Sequence, residues 1–437
     1  MTAIECVRTH LKAYLSETRL EDWIGQRAPA EFEPFYSSID LRDAGFKLAP
    51  VDANLYPAGF NNICSEDLEH STEILKPLLQ RHLGRIPKKI AILPEFHTRN
   101  KFYADNLYEL RQIFRRLGIE AEIGWVHALA GTTPTDDITP LAPVELRTSD
   151  DRIVHAFPFE RRGDKLIFEP YEPEFVLLNN DFSNGFPEIL RDLKVPVEPS
   201  PKLGWHTRRK SDFFTHYNRL AGDLAQAAGI DPWHLQVGTR LVDRVDFNTN
   251  EGMDRIAAAV EETLAEMRVQ YDIHGVSEQP FVFVKNNAGT YGMGVLKVES
   301  GEELLALNRR ERNKMAVGKG SHEVHDVIVQ EGIPTRYNVD GVYGEPAIYL
   351  LGHELLGGFL RKNPTRGRVD NLNSKGMVFQ KLCLSDLRHG VDRDLELELV
   401  YGTIAQLSAA AITLEIAKVE RPASSSDSSP QASCEIG

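Results

Sequence analysis

Residues 89–126 constrain the fold more than any other stretch of this chain. Lys89-Ile-Ala-Ile-Leu-Pro94 is a short apolar run closed by proline, the pattern of a strand buried on both faces. Residues 103–117 then place Leu107, Leu110, Phe114 and Leu117 on one helical face, and Gly118 stops the helix. Ile119-Glu-Ala-Glu-Ile-Gly-Trp125 alternates apolar and polar residues, as a second strand does. Two strands joined through a helix lie parallel, and a parallel sheet needs cover on both faces. The chain is therefore read as α/β, and its 437 residues suffice for two or three domains. The loop Glu95-Phe-His-Thr-Arg-Asn100 follows the first strand, where such sheets place ligands.

Composition narrows the class. With 42% hydrophobic and 26% charged residues the chain reads as globular. Its net charge is −14, from 50 basic and 64 acidic residues, which disfavours nucleic acid as a partner. Cys6, Cys64, Cys383 and Cys434 are far apart and form no C-x-x-C pair. That argues against a zinc site or a disulfide framework and suits a reducing cytoplasm. Residues 1–20 lack the apolar core of a signal peptide, and no apolar run approaches 18 residues, so no membrane span is expected.

Elsewhere, residues 1–25 keep helical spacing at Ile4, Val7, Leu11, Tyr14 and Leu15. Tyr36–Asp40 and Pro50–Asn62 read as loop-rich. Phe175-Val-Leu-Leu-Asn-Asn-Asp181 is a buried strand with a polar carboxyl end, followed by a short helix at 187–194. Residues 195–205 read as a domain linker. Helices are expected at 211–228, 251–268 and 394–417, and strands at 324–330, 346–351 and 354–360, the last two turning at Gly352. The Ser-rich stretch Pro422–Gly437 reads as disordered.

One segment carries chemistry. In Phe281-Val-Phe-Val-Lys285-Asn-Asn-Ala-Gly289-Thr-Tyr-Gly292-Met-Gly294-Val-Leu-Lys-Val298, two strand-like runs flank a glycine-rich loop, and Lys285 ends the first run. Glycines let backbone N–H groups approach phosphate oxygens, and the lysine adds a positive charge. Most glycine hairpin loops are only turns. The segment matches neither the P-loop nor the dinucleotide-binding fingerprint, and fits a strand–loop–strand lid instead.

The order of this lid, Val327-Ile-Val-Gln-Glu-Gly-Ile333, a hairpin ending in Arg361, and Asn371-Leu-Asn-Ser-Lys-Gly376 resembles the ATP-grasp fold. In the N-terminal half, Val51-Asp-Ala-Asn-Leu-Tyr-Pro-Ala-Gly-Phe-Asn-Asn62, Leu177-Leu-Asn-Asn-Asp-Phe182 and Gly204-Trp-His-Thr-Arg-Arg-Lys-Ser211 resemble the bacterial glutamate–cysteine ligase family of ATP-grasp-like type. This resemblance implies an N-terminal α/β substrate domain (1–200), an ATP-grasp-like region of two α+β nucleotide-binding lobes (201–421) and the tail (422–437). It also implies ATP-dependent joining of glutamate to cysteine through an acyl phosphate, with ATP and Mg²⁺ required.

The same resemblance implies roles for individual residues. Lys285 and Arg361 would be catalytic. Lys285, Gly289, Tyr291, Gly292, Gly294, Gln330, Glu331 and Ile333 would hold the nucleotide. Asp370, Asn371 and Asn373 would hold magnesium, which prefers oxygen ligands. The family's late Glu-x-Asn is missing. Its nearest match is Glu415-Ile-Ala417, where Glu415 reads as structural, so the acidic ligand is sought among Asp340, Glu345 and Asp370, with Asp370 favoured. For the amino acids, Arg99 suits a carboxylate, and Asp52, Asn54, Asn61, Asn62, Asn180 and Asp181 suit an ammonium, although Asp and Asn at strand ends equally cap turns. Arg208-Arg209-Lys210 reads as a solvated face or a phosphate contact. His322 and His325 read as a surface loop, and Cys64 as a packing residue. The competing functions are a ligase for another amino-acid pair, a non-catalytic nucleotide-binding module and, last, a kinase.

Overall fold

The computed structural model describes residues 2–95, 100–125, 142–182, 186, 188–288, 295–316, 324–384 and 397–421. Arg99, Gly289, Tyr291, Gly292, Gly294, His322 and the Ser-rich tail lie outside these residues. The described chain is a mixed α/β structure with three sheets.

The parallel sheet grows from the β-α-β unit. Lys89–Pro94 pairs in parallel with Glu120–Trp125 on one side and Phe175–Asn179 on the other. Glu120–Trp125 pairs onward with Ile153–Arg162, and Phe175–Asn179 with Val197–Glu198. The sheet is completed by Val144–Arg147 and Lys165–Phe168, both antiparallel to Ile153–Arg162. The connecting helix Lys101–Arg115 starts at Asn100, whose side chain accepts from the Tyr103 amide, and Gly118 closes the connection at φ +73°. Val197–Glu198 falls inside the expected linker. Instead of spanning open solvent, that segment forms the sheet's edge, and Leu203 and Trp205 just beyond it are buried. The helix expected at 187–194 is reduced to the single turn Glu188–Leu190.

The central sheet is antiparallel, in the order Val378–Leu382, Glu354–Lys362, Val342–Leu351, Tyr36–Asp43, Leu48–Asn54, with Asn338–Val339 on Val342–Leu351. Tyr36–Asp43 and Leu48–Asn54 are strands, where loop had been expected. Ile39 and Leu41 point to an apolar core, while Asp40 and Arg42 point the other way. Gly352, at φ +63°, turns the hairpin between Val342–Leu351 and Glu354–Lys362 as the sequence predicts.

One face of the central sheet packs on the helix Leu397–Glu420, with the helices Ala3–Glu17 and Lys210–Ala227 around it. That long helix is apolar on every side, and 83% of its most apolar stretch is buried. By length and composition alone it could cross a membrane, but here it is the core of the molecule. The opposite face packs at one end on the helix Ser65–Leu83 and the parallel sheet. At its other end it looks onto the third sheet, Thr239–Val242, Val327–Glu331, Val282–Asn286 and Leu296–Val298, which is backed by the helix Asn250–His274.

The cysteine reading is corrected. Cys64, at the start of Ser65–Leu83, is disulfide-bonded to Cys383, just after the strand Val378–Leu382, across a sequence separation of 319. The Cα atoms lie 5.5 Å apart. Spacing along the chain gave no sign of a pair that only the fold brings together.

Candidate active site

The cleft lies where the central sheet faces the third sheet. Period-two alternation brings Asp40 with Arg42 and Phe283 with Lys285 into it, while Val51 and Asn286 line it beside their neighbours Asp52 and Lys285. From Tyr36–Asp43 come Asp40 and Arg42; from Leu48–Asn54, Val51 and Asp52; from Val342–Leu351, Glu345; and from Glu354–Lys362, Arg361. The facing wall is Phe283, Lys285, Asn286 and Val295. Asn371 and Asn373 close the rim, and Lys210 enters from the start of its helix.

Four cations and three carboxylates therefore share one buried space. Arg361 donates to both Asp40 oxygens (2.8 and 3.1 Å) and to Glu345 (2.9 Å). Arg42 donates to the other Glu345 oxygen, and also to the carbonyls of Asp370 (2.8 Å) and Arg368 (3.3 Å). It thereby ties the Asn371 loop to the sheet. Lys210 pairs with Asp52. Lys285 donates to the Val51 carbonyl (3.0 Å) and to Gln330 Oε1 (2.5 Å).

The electrostatics follow from these contacts. Burial pulls the Lys285 ammonium down to about 8, partly offset by Asp52, while Lys210 and Arg42 push it the same way as burial. Burial would raise Asp52, but Lys210 and Lys285 outweigh it and hold the carboxyl below its usual range. Glu345 is likewise opposed by burial and held low by Arg42 and Arg361. Asp40 sits above its usual range because burial outweighs the pull of Arg361, with Glu345 and Asp52 adding repulsion. Burial alone would favour loss of the Arg361 proton, yet the two carboxylates raise its pKa above the ordinary arginine value.

The expected residues separate into groups. Lys285, Arg361, Asp52, Asn371 and Asn373 meet in the cleft. Gln330 is buried behind Lys285, and its Nε2 finds no partner among the described residues. Glu331 faces the other side of the same strand. It is bound to Lys47 (2.6 and 2.7 Å) and the Gly238 amide (2.9 Å) in a groove lined by Trp233. Ile333 lies in the core. Asp370 is spent on its own turn, where its carboxylate accepts from the Gly367 amide at 2.8 Å. Among the three acids weighed for the metal, the one in the cleft is Glu345. Asn180 also caps locally, accepting from the Phe182 amide (2.9 Å) and donating to the Pro94 carbonyl (3.3 Å). Asp181 is buried beside it, and its carbonyl accepts from the Trp205 amide. Asn54 is partly buried at the end of its strand, opposite Ser38. Asn61 and Asn62 are partly buried on the turn Phe60–Asn62, which contacts the strand Val378–Leu382.

The basic triplet is not a solvated face. Arg208 makes a buried pair with Glu415 (2.7 Å), which makes Glu415 structural, and Lys210 reaches the cleft. Asp40 and Arg42 carried one usable signal, the alternation Ile39/Leu41 against Asp40/Arg42.

Residues 12–416 match the family model described as glutamate-cysteine ligase. The chain belongs to the glutamate–cysteine ligase family. Family members ligate glutamate to cysteine in glutathione biosynthesis, using ATP. Among solved structures, one named "putative gamma-glutamylcysteine synthetase", from Methylobacillus flagellatus KT, is 36% identical with a TM-score of 0.81. The match covers 94% of this chain and 96% of that one. D-alanyl-alanine synthetase A from Vibrio cholerae O1 biovar eltor is 12% identical with a TM-score of 0.36, covering 72% of this chain and 79% of that one. That likeness is too slight to carry an argument. No curated protein matches. For this ligase the cleft is the one described place where residues from the lid strand, the Arg361 hairpin and the Asn371 loop converge.

Proposed function

We propose that the cleft is the ATP and acyl-phosphate site of an ATP-grasp-like glutamate–cysteine ligase acting in the cytoplasm. Residues 201–421 supply the nucleotide side and residues 1–200 the glutamate side. The observation that carries this is the convergence of Lys285 and Arg361 from two facing sheets onto one buried charged space. Lys285 sets its charge against the nucleotide phosphates. Gln330 orients Lys285 from behind by accepting from its ammonium. The lid residues Gly289, Tyr291, Gly292 and Gly294 cover the phosphates.

The transferred phosphoryl group needs positive charge near its oxygens, and Arg361 supplies it, with Nη1 and Nη2 held by Asp40 and Glu345 and Nε without a partner among the described residues. The γ-carboxylate attacks the terminal phosphorus, ADP leaves, and a mixed acyl phosphate results. The cysteine amine then attacks the acyl carbon. A C–N bond forms, the C–O bond to phosphate breaks, and phosphate departs with the electron pair and takes up the proton that the amine loses. Lys210 and Arg42 hold Asp52 and Glu345 ionised through these steps. Arg99, Asn54, Asn61, Asn62, Asn180 and Asp181 remain assigned to the amino-acid side.

Glu345, Asn371 and Asn373 line the cleft with hard oxygen donors of the kind Mg²⁺ takes, and an ion there would draw Glu345 from one of its two arginines and the Asn371 side chain from the Asn373 amide. When bound there, the ion would neutralise phosphate charge. Purified protein given ATP, magnesium, glutamate and cysteine should release ADP and form a product of the mass of γ-glutamylcysteine. Absence of both would refute the assignment.

A further inference from the structure

On the central sheet the cleft face continues past Arg361. Arg361 stands opposite Phe379, and Phe359 opposite Lys381, in an unbroken antiparallel register. Odd-numbered positions on both strands share the Arg361 face, because the even-numbered Leu360 and Leu382 enter the core on the other side. The Phe359 and Phe379 rings confirm it, meeting edge to face with centroids 5.2 Å apart. Phe359 is buried, whereas Phe379 is 41% exposed and Lys381 is exposed beside it. Lys285, on the facing wall, meets the central sheet at the Val51 carbonyl, three strands away from the Arg361 strand. An exposed aromatic ring and an exposed lysine thus sit directly beyond the cation that would hold the acyl phosphate.

We infer that Phe359, Phe379 and Lys381 form the subsite for the acceptor amino acid, with Phe379 taking its side chain and Lys381 its carboxylate. The inference rests on the ligase reading given above. It commits to an acceptor with a small, soft side chain. A thiol sulfur packs favourably against a ring edge, and the exposed face of Phe379 is the one such surface next to Arg361 among the described residues. Successive same-face positions on a strand lie about 7 Å apart, so a lysine two residues from the ring reaches a carboxylate on the same small molecule. The amine is left to point back toward Arg361.

The test is the steady-state kinetics of Phe379→Ala, Phe379→Leu and Lys381→Met with three acceptors: cysteine, cysteamine, which lacks the carboxylate, and hydroxylamine, which lacks both groups. For Phe379→Ala, the KM for cysteine and for cysteamine should rise about ten-fold, the upper end of one sulfur–aromatic contact. Phe379→Leu should fall between. For Lys381→Met, the KM for cysteine should rise about five-fold, and that for cysteamine should not move. With hydroxylamine, the variants should follow the parent, as should their KM for ATP and glutamate. Equal losses with all three acceptors, or no change with cysteine, would overturn the subsite while leaving the ligase assignment intact. A parent protein that turned over hydroxylamine but not cysteine would refute the cysteine-ligase reading and the subsite with it.

Discussion

Replacing Arg361 by methionine removes the cation that Asp40 and Glu345 share. Both carboxylates are almost wholly buried, and Asp40 has its two Arg361 contacts at 2.8 and 3.1 Å. Breaking a buried pair by removing one partner costs about 3–5 kcal/mol, because a charge stays behind without compensation. Glu345 keeps Arg42, so most of that cost falls on Asp40. Asp40 already lies above its usual range with Arg361 in place, and losing the cation pushes it further up. A carboxylate whose folded pKa exceeds its unfolded one destabilises the protein fully above the folded pKa, and the penalty fades as pH falls from there to the unfolded value. The deficit should thus be largest at pH 8 and shrink toward pH 5. Urea unfolding of the parent, Arg361→Met and Arg361→Met/Asp40→Asn at both pH values measures it. The double variant should recover at least half of the loss at pH 8. A deficit under about 1 kcal/mol, one that ignores pH, or a double variant no better than the single would refute the view that these residues are one buried ion set.

Lys285, with its pKa near 8, should lose its charge in the free enzyme as pH rises past 8, so the KM for ATP should climb there and Lys285→Met should lack that limb. Stability should move the other way in the parent, rising between pH 8 and the unfolded lysine value, because the unfolded chain then holds the extra proton. Lys47→Met should cost about 3–5 kcal/mol by stranding Glu331, and Lys47→Met/Glu331→Gln should recover much of it in thermal or urea unfolding. Cys64→Ser/Cys383→Ser should lose about 2–4 kcal/mol relative to the oxidised parent, and non-reducing peptide mapping should find the two cysteines in one fragment.

The parts of the fold that were legible in the sequence are those with local causes. The β-α-β unit at 89–125, the hairpin at Gly352 and the helices expected at 1–25, 211–228, 251–268 and 394–417 show themselves through period, caps and glycine stops, whereas Ser65–Leu83 is a helix the sequence reading did not include. Lys285, Arg361, Asn371 and Asn373 were legible as candidates because they sit in ordered motifs, and they line one cleft. Asp40 and Arg42 were not, because Ser37, Ser38 and Asp40 interrupt the apolar run and imitate loop chemistry. Asp40 and Arg42 are polar where they line the cleft. Glu331 differs from Gln330 by one residue, and in a strand one residue decides between the cleft and the opposite groove. Asp370 was favoured by nearness to Asn371 along the chain, yet a turn used up its carboxylate, while Glu345 arrived from a different strand. The Cys64–Cys383 bond depends on where helix and edge strand meet, which no spacing encodes.

The central sheet also has a consequence for how the protein is made. Tyr36–Asp43 finds its partner in Val342–Leu351, so one edge of an early strand waits for residues translated some 300 positions later. At ribosomal rates of about 5–20 residues per second, that wait is roughly 15–60 seconds. Asp40 meets Arg361 only after it. A nascent chain therefore carries an unpaired strand edge, and the charges of its future cleft uncompensated, through most of synthesis. Fragments ending before residue 362 should be substrates for chaperones and proteases, and catalytic activity in a lysate should report full-length chain alone.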